Sequence, residues 1–98
     1  MGLSVDSTYS PMTIPSSLSV GSPTAGGSLA ASTTYYYEVT AIDSAGGETT
    51  VSNQASGTTG ASPDLQLPLT WTAVPGASGY RIYRSTTSGS EVYLTTVH

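Results

Sequence analysis

The chain has 98 residues, enough for one small domain with a single core. Six acidic residues stand against two arginines and no lysine, giving a formal net charge of -4, which argues against nucleic acid and anionic membranes as partners because both require clustered basic side chains. There is no cysteine, so disulfides, thiolate metal sites and thiol nucleophiles are excluded.

The first 27 residues contain two short β-capable pieces, Leu3–Val5 and Ile14–Val20, interrupted by prolines. Proline cannot donate to a central ladder, so these pieces are expected as edge strands or an extended arm. No basic segment followed by a long apolar run occurs at the start, which predicts neither a signal peptide nor a membrane span. We therefore divide the chain into an N-terminal arm, residues 1–27, and a β-sandwich, residues 28–98.

The clearest strand is predicted over residues 33–42, where every second side chain is suited to a core. A hairpin turn over Asp43–Gly47 follows, and Glu48–Ala55 is expected to return antiparallel. Residues 57–63 then read as a linker. Because turn residues punctuate the whole chain and no helical periodicity is present, the fold is predicted to be all-β.

The second half of the chain also contains short segments in which core-facing and outward-facing side chains alternate. A strand is predicted over Leu65–Val74, a tight loop over Pro75–Gly79, a strand over residues 80–84 and a last strand over Glu91–Val97. Side chains assigned to the core by this alternation are Leu29, Tyr35, Tyr37, Val39, Ala41, Leu67, Leu69, Trp71, Tyr80 and Ile82.

Two motifs carry a family resemblance. The positions Leu29, Thr33, Tyr35, Val39 and Ala41 resemble strand F of a fibronectin type III domain. The run W-x-x-x-P-G-A-S-G-Y-R-I-Y-R, which starts at the tryptophan, resembles the passage from strand B to strand C. In that family strand B comes before strand F, whereas here the order is reversed. The resemblance therefore implies an immunoglobulin-like, fibronectin type III-like β-sandwich in permuted strand order.

The resemblance also implies specific positions and a setting. Tyr35 is expected to be the tyrosine corner, whose hydroxyl bonds backbone a few residues upstream. The permutation implies that Gly27 and His98 lie near one another at one end of the sandwich. Sequences with this order are similar to modules of bacteriophage virion proteins, such as tail, fibre and decoration components.

Outward-facing tyrosines are the first candidates for binding. Tyr36 and Tyr83, with Tyr93, could form an aromatic platform for a protein partner or for a sugar ring. The alternative is that they only stabilise cross-strand pairs. The cross-strand role is favoured over binding, and among the binding roles a protein interface is favoured over a sugar.

The two arginines, Arg81 and Arg84, are the other candidates. They could pair with Glu38, Glu48 or Glu91 on neighbouring strands, or with an acidic partner surface, and the first arrangement is favoured.

No constellation in the sequence indicates catalysis. The only histidine, His98, is terminal, so the serines lack an imidazole base. The carboxylates lack calcium-loop spacing, and no glycine-rich loop leads into a helix. The sequence thus predicts no catalytic, cofactor or metal site.

We therefore expect a non-enzymatic structural subunit of a bacteriophage particle, assembled in the host cytoplasm. Its partners would be copies of itself and other virion proteins, through sheet edges and the N-terminal arm. The alternatives are a secreted bacterial or archaeal adhesion or filament subunit and a carbohydrate-binding module. Candidate interface residues are Leu3, Val5, Ile14, Leu18, Val20, Tyr36, Arg81, Tyr83 and Arg84.

Overall fold

The computed structural model describes residues 12–98, so the predictions for Leu3 and Val5 lie outside the described part of the chain. Within that part the protein is all-β, with two antiparallel sheets. The strands are β1 (Ser19–Val20), β2 (Thr34–Ile42), β3 (Ala55–Thr58), β4 (Leu69–Thr70), β5 (Gly79–Ser85) and β6 (Val92–Val97). One sheet pairs β1 with β4, and the other has the order β3-β2-β5-β6.

Strand β2 is one of the two central strands of the larger sheet, paired with β3 on one side and β5 on the other. Its alternate residues Tyr35, Tyr37, Val39 and Ala41 are buried, as the alternation predicts. Thr40, on the opposite face, is buried as well, because the carboxylate of Glu48 lies against it and accepts its hydroxyl hydrogen bond at 2.6 Å.

The segment after the hairpin turn does not form the regular strand that the sequence predicts. Regular pairing with β2 begins only at β3, whose first residue, Ala55, is the last residue of the predicted strand Glu48–Ala55. Before that, Ser52 and Thr49 bond Val39 and Ala41 through both backbone and side chain. From Thr49 to Ser52 the chain advances three residues, whereas the bonded residues of β2, Ala41 and Val39, are two residues apart, as in β-bulges. The extra residues break the regular ladder.

The smaller sheet is much shorter than the strand predicted over Leu65–Val74. Its ladder contains two residue pairs, Ser19 with Thr70 and Val20 with Leu69. Beyond it the segments stay together through single bonds, including one from the Gly21 amide to the Pro68 carbonyl at 2.8 Å. Pro68 has no amide hydrogen to continue the ladder in the other direction.

The core lies between the two sheets. Buried members of this cluster are Leu18, Tyr35, Tyr37, Val39, Leu67 and Ile82, and the half-buried residues packed against them are Val20, Leu29, Ala55, Leu69, Trp71 and Tyr80. All ten residues that we assigned to the core are therefore buried or half-buried.

The placement of Leu18 and Val20 at an interface is wrong. Leu18 is only 4% exposed and belongs to the core, and Val20 pairs with β4 and packs against the same cluster. Burial of these apolar side chains between the sheets stabilises the fold itself. The described end of the predicted arm is thus part of the packed structure.

Two tyrosine hydroxyls fasten the loops that precede their strands. The Tyr35 hydroxyl accepts a hydrogen bond from the Ala30 amide at 2.9 Å, which confirms the upstream bond expected for this residue. Tyr80, whose equivalent role was not predicted, accepts from the Val74 amide at 2.8 Å.

The predicted proximity of Gly27 and His98 is wrong. Gly27 lies against Leu65, in the region that leads into the Thr34 end of β2. His98 contacts Ser78, whose amide bonds the carbonyl at the opposite end of β2, that of Ile42. The two residues therefore lie at opposite ends of the larger sheet.

Candidate functional site

The candidate site is the face of the larger sheet turned away from the smaller one, which we call the outer face. Residues directly opposite each other in antiparallel strands share a face. The register pairs Glu38 with Tyr83, and Thr40 with Arg81. On the other side of β5, it pairs Tyr83 with Tyr93 and Arg81 with Thr96. Tyr36 lies two residues before Glu38 on β2 and so shares its face, which places the predicted candidates Tyr36, Arg81 and Tyr83 all on the outer face.

Glu48 organises the centre of this face. Its carboxylate accepts hydrogen bonds from the Thr40 hydroxyl, the Tyr83 hydroxyl and the Arg81 guanidinium, the last at 2.8 Å. Arg81 therefore pairs with one of the three glutamates that the sequence offered. The bonds from Thr40, then Tyr83, and the charge of Arg81 hold the pKa of Glu48 below its usual value. The same carboxylate raises the pKa of Tyr83.

A shallow depression of about 370 Å³ lies beside this centre, lined by Arg81, Tyr83, Tyr93 and Thr96. The rings of Tyr83 and Tyr93 meet edge to face, with centroids 6.1 Å apart. The Tyr93 and Thr96 hydroxyls are 2.8 Å apart and share a hydrogen bond. Both rings are thus fixed by hydrogen bonds at their tips, while Tyr93 remains 56% exposed. Such a surface offers rigid aromatic area beside a cation.

The surroundings of Glu38 shift its pKa in the direction opposite to that of Glu48. Burial and the negative charge of Glu91 both raise its pKa above the usual value. One carboxylate oxygen of Glu91, Oε2, is buried without a hydrogen-bond partner among the described residues. Neither glutamate pairs with Arg81 or Arg84 within residues 12–98. This part of the outer face therefore carries uncompensated negative charge.

Arg84 does not belong to the outer face. It lies opposite Tyr37 in the register and places its guanidinium over the ring of Tyr35, 5.4 Å from the centroid. This is the geometry of a cation–π contact. Burial raises the pKa of Tyr37, and the charge of Arg84 opposes that effect. Arg84 thus packs against the tyrosines of β2 instead of pairing with a glutamate.

The remaining described candidate, Ile14, lines a second depression, which it shares with Glu48. It is 47% exposed and borders a shallow depression with Met12 and residues of the hairpin between β2 and β3.

The exposure of the edge strand β6 is a feature that the sequence did not predict. Val92, Tyr93, Leu94 and Val97 are all exposed. The alternation of the sequence indicated a strand here, but not that residues 12–98 would leave its apolar side chains exposed.

Within residues 12–98 there is no cluster of three or more histidine, aspartate or glutamate side chains arranged to hold a metal ion. The same residues include no helix with the length and apolar character needed to cross a bilayer.

Comparison of the chain with protein-family models, curated proteins and solved structures gave no match. The functional interpretation therefore depends on the motifs and geometry of this chain.

Proposed function

We propose that this protein is a non-enzymatic structural subunit of a bacteriophage particle that assembles through the edges of its sheets. The observation that carries the proposal is the edge strand β6, which no strand within residues 12–98 covers and which presents exposed apolar side chains at the end of its sheet. Proteins that remain monomeric usually protect such edges with charges, prolines or a covering segment. An edge without protection is the expected property of a subunit that is completed by its neighbours.

The proposal includes a fibronectin type III-like sandwich with permuted strands. In this interpretation β2 and β3 take the places of strands F and G, β4 and β5 those of B and C, and β6 that of C′. The pairing of β1 with β4 supports giving β1 the place of strand E, which neighbours strand B in immunoglobulin-like sandwiches. The hydroxyl bond of Tyr35 supports the assignment of β2. The chain would then be opened before strand E instead of before strand F.

The virion setting is supported by the motifs of β2 and of the segment from Trp71 to Arg84, which resemble those of phage tail, fibre and decoration proteins. The test is to raise antibodies against the purified protein and to label purified phage particles for electron microscopy. Labelling at regular positions on the particle supports the proposal. Particles that contain none of this protein by mass spectrometry would contradict it. A secreted filament or adhesion subunit, the alternative, would instead be found on the cell surface.

A second candidate function, saccharide binding, is favoured by the depression on the outer face. Tyr93 offers an exposed ring on which a sugar could stack, and Arg81 offers donors beside it. A glycan array tests this function. Tyr93→Ala should abolish retention, while Tyr36→Ala, on the same face but outside the depression, should retain it. Equal retention by both variants would exclude the depression as the binding site.

A further inference from the structure

Strand β6 is the most unusual surface of the described structure. Of the large apolar side chains exposed in residues 12–98, most lie on this single strand; the complete set is Ile14, Val51, Val92, Tyr93, Leu94 and Val97. Its sequence, V-Y-L-T-T-V, contains no charge, no proline and no glycine. Segments of this composition pair readily with other strands. The strand therefore has the properties of an interface and lacks those of a protected edge.

The arrangement of the two sheets explains why the described part of the chain leaves this strand uncovered. In the register with β5, Val92, Thr95 and Val97 lie on the same face as the residues opposite them, which is the face turned toward the smaller sheet. The smaller sheet, however, has only two residues in each strand, and β1 contacts β3 and β4 but not β6. The core-side face of β6 thus extends beyond its cover.

We propose that β6 pairs antiparallel with β6 of a second copy of this chain, around a two-fold axis between Leu94 and Thr95. This inference rests on the proposed function only in that both use sheet edges for assembly; it adds the partner and the register. The pairing would join the larger sheets of two copies into one continuous eight-stranded sheet. The backbone amides and carbonyls of β6 that point away from β5 would then form hydrogen bonds between the two copies.

The register follows from the faces of the side chains. Around this axis Val92 is opposite Val97 of the second copy, and Tyr93 is opposite Thr96. Val92 and Val97 share the core-side face, and Tyr93 and Thr96 share the outer face. Each side chain therefore meets one from the same side of the sheet, as antiparallel pairing requires. The register between β5 and β6 shifts between Ile82 and Tyr83, so Leu94 has no directly opposite residue on β5. This shift accommodates Leu94 beside the axis.

Pairing of β6 with β6 of a second copy is more favourable than pairing with β3, the strand at the other edge of the larger sheet. Pairing of β6 with β3 of a neighbour would be heterologous and would lead to open fibres unless the rotation closed. Strand β3 has only four residues, A-S-G-T, and offers no large apolar side chain. Pairing of β6 with itself matches apolar with apolar, brings no like charges together on the strand, and closes as a dimer.

The first experiment measures the oligomeric state of the full chain by analytical ultracentrifugation over a concentration series. The wild-type protein should show a monomer–dimer equilibrium. Leu94→Lys should shift it to monomer, because a charge at the edge opposes strand pairing. Val51→Lys is the matched control, since Val51 is exposed to a similar extent outside β6, at 44% against 40%, and it should leave the equilibrium unchanged.

The second experiment tests the register by cross-linking. The chain has no cysteine, so introduced thiols are the only ones present. In the double variant Val92→Cys and Val97→Cys the two thiols within one copy are about 17 Å apart, too far for a disulfide, whereas those opposite each other between copies are within reach. Mild oxidation should therefore link the double variant into a dimer and should leave each single variant unlinked.

Three results would overturn the dimer: a wild-type monomer at every concentration, growth into filaments, or equal dissociation by Leu94→Lys and Val51→Lys. Failure of this inference is distinguishable from failure of the proposed function. A monomer that is nevertheless found in phage particles refutes the β6 pairing alone. A dimer that is absent from particles refutes the virion role alone.

Discussion

At the scale of single residues, the outer face places two carboxylates in opposite environments. Glu48 accepts three hydrogen bonds from cationic and hydroxyl donors, which favour its charged form. Glu38 faces burial and the negative charge of Glu91, which favour its neutral form. Their contributions to stability should therefore depend on pH with opposite signs.

Glu48→Gln should destabilise the protein at neutral pH by about 1 kcal/mol, because charged acceptors make the stronger hydrogen bonds and this site is partly exposed. Since its pKa is lowered by folding, Glu48 stabilises the native state above the usual carboxyl value of 4.5, and this contribution is lost as pH falls through the native pKa. Urea unfolding of both proteins across that range should show the difference shrinking toward acid. A pH-independent difference would contradict this account.

Glu38→Gln should stabilise the protein at neutral pH, by about 0.5 kcal/mol for a partly exposed like-charge contact. Because its pKa is raised by folding, the wild-type protein loses stability as pH rises from the usual carboxyl value through the raised one. The variant removes that loss, so its advantage should vanish in acid. Urea unfolding measures it, and Glu48→Gln is the control with the opposite sign. Destabilisation at neutral pH would show that Glu38 has a favourable partner.

Some of these contacts could be predicted from the sequence and others could not. The upstream bond of Tyr35 followed from its motif, and Arg81 was expected to bond one of three glutamates. Which one depends on the irregular path from the hairpin to β3, which no spacing in the sequence indicates. Tyr80 bonds backbone six residues upstream, much as Tyr35 does five residues upstream, so its position after a turn was a usable signal.

At the scale of elements, alternation identified β2 and β5 because both strands have one face in the core. It failed between Glu48 and β3, where the chain stays beside β2 without a regular ladder. There hydroxyl groups replace backbone carbonyls as acceptors: Ser52 accepts from the Val39 amide and Thr49 from the Ala41 amide, both at 3.0 Å. Serine and threonine in such a stretch look like loop residues in a sequence, although here they complete the edge of β2.

Ser52→Ala should destabilise the protein by about 1–3 kcal/mol, because it leaves the buried Val39 amide without an acceptor. Thermal or urea unfolding measures the loss. Ser56→Ala, an exposed position on β3, is the matched control and should change stability by less than about 0.5 kcal/mol. Equal effects of the two substitutions would mean that the Ser52 hydroxyl does not hold β2.

At the scale of the whole molecule, the sequence predicted an all-β chain, but the predicted boundary between arm and sandwich assigned Leu18 and Val20 to the arm. Prolines and a two-residue strand leave no periodic signal around Ser19 and Val20, so this segment looked like an arm. Its role depends on contacts with residues far along the chain. The side chain of Asn53 donates to the Leu18 carbonyl at 2.9 Å and accepts from the Leu18 amide at 3.0 Å. Only the folded structure brings these partners together.

Leu18→Ala tests whether the smaller sheet and its leading segment belong to the same cooperative structure as the larger one. Truncation of this buried side chain should cost about 2–5 kcal/mol, since it removes apolar contacts and leaves a cavity between the sheets. Ile14→Ala, at an exposed position only four residues earlier, should cost less than about 1 kcal/mol. Urea unfolding monitored by Trp71 fluorescence measures both, because Trp71 packs against the same core. If Leu18→Ala were as mild as Ile14→Ala, the segment would be an independent arm after all, and the sandwich would have to be stable without β1.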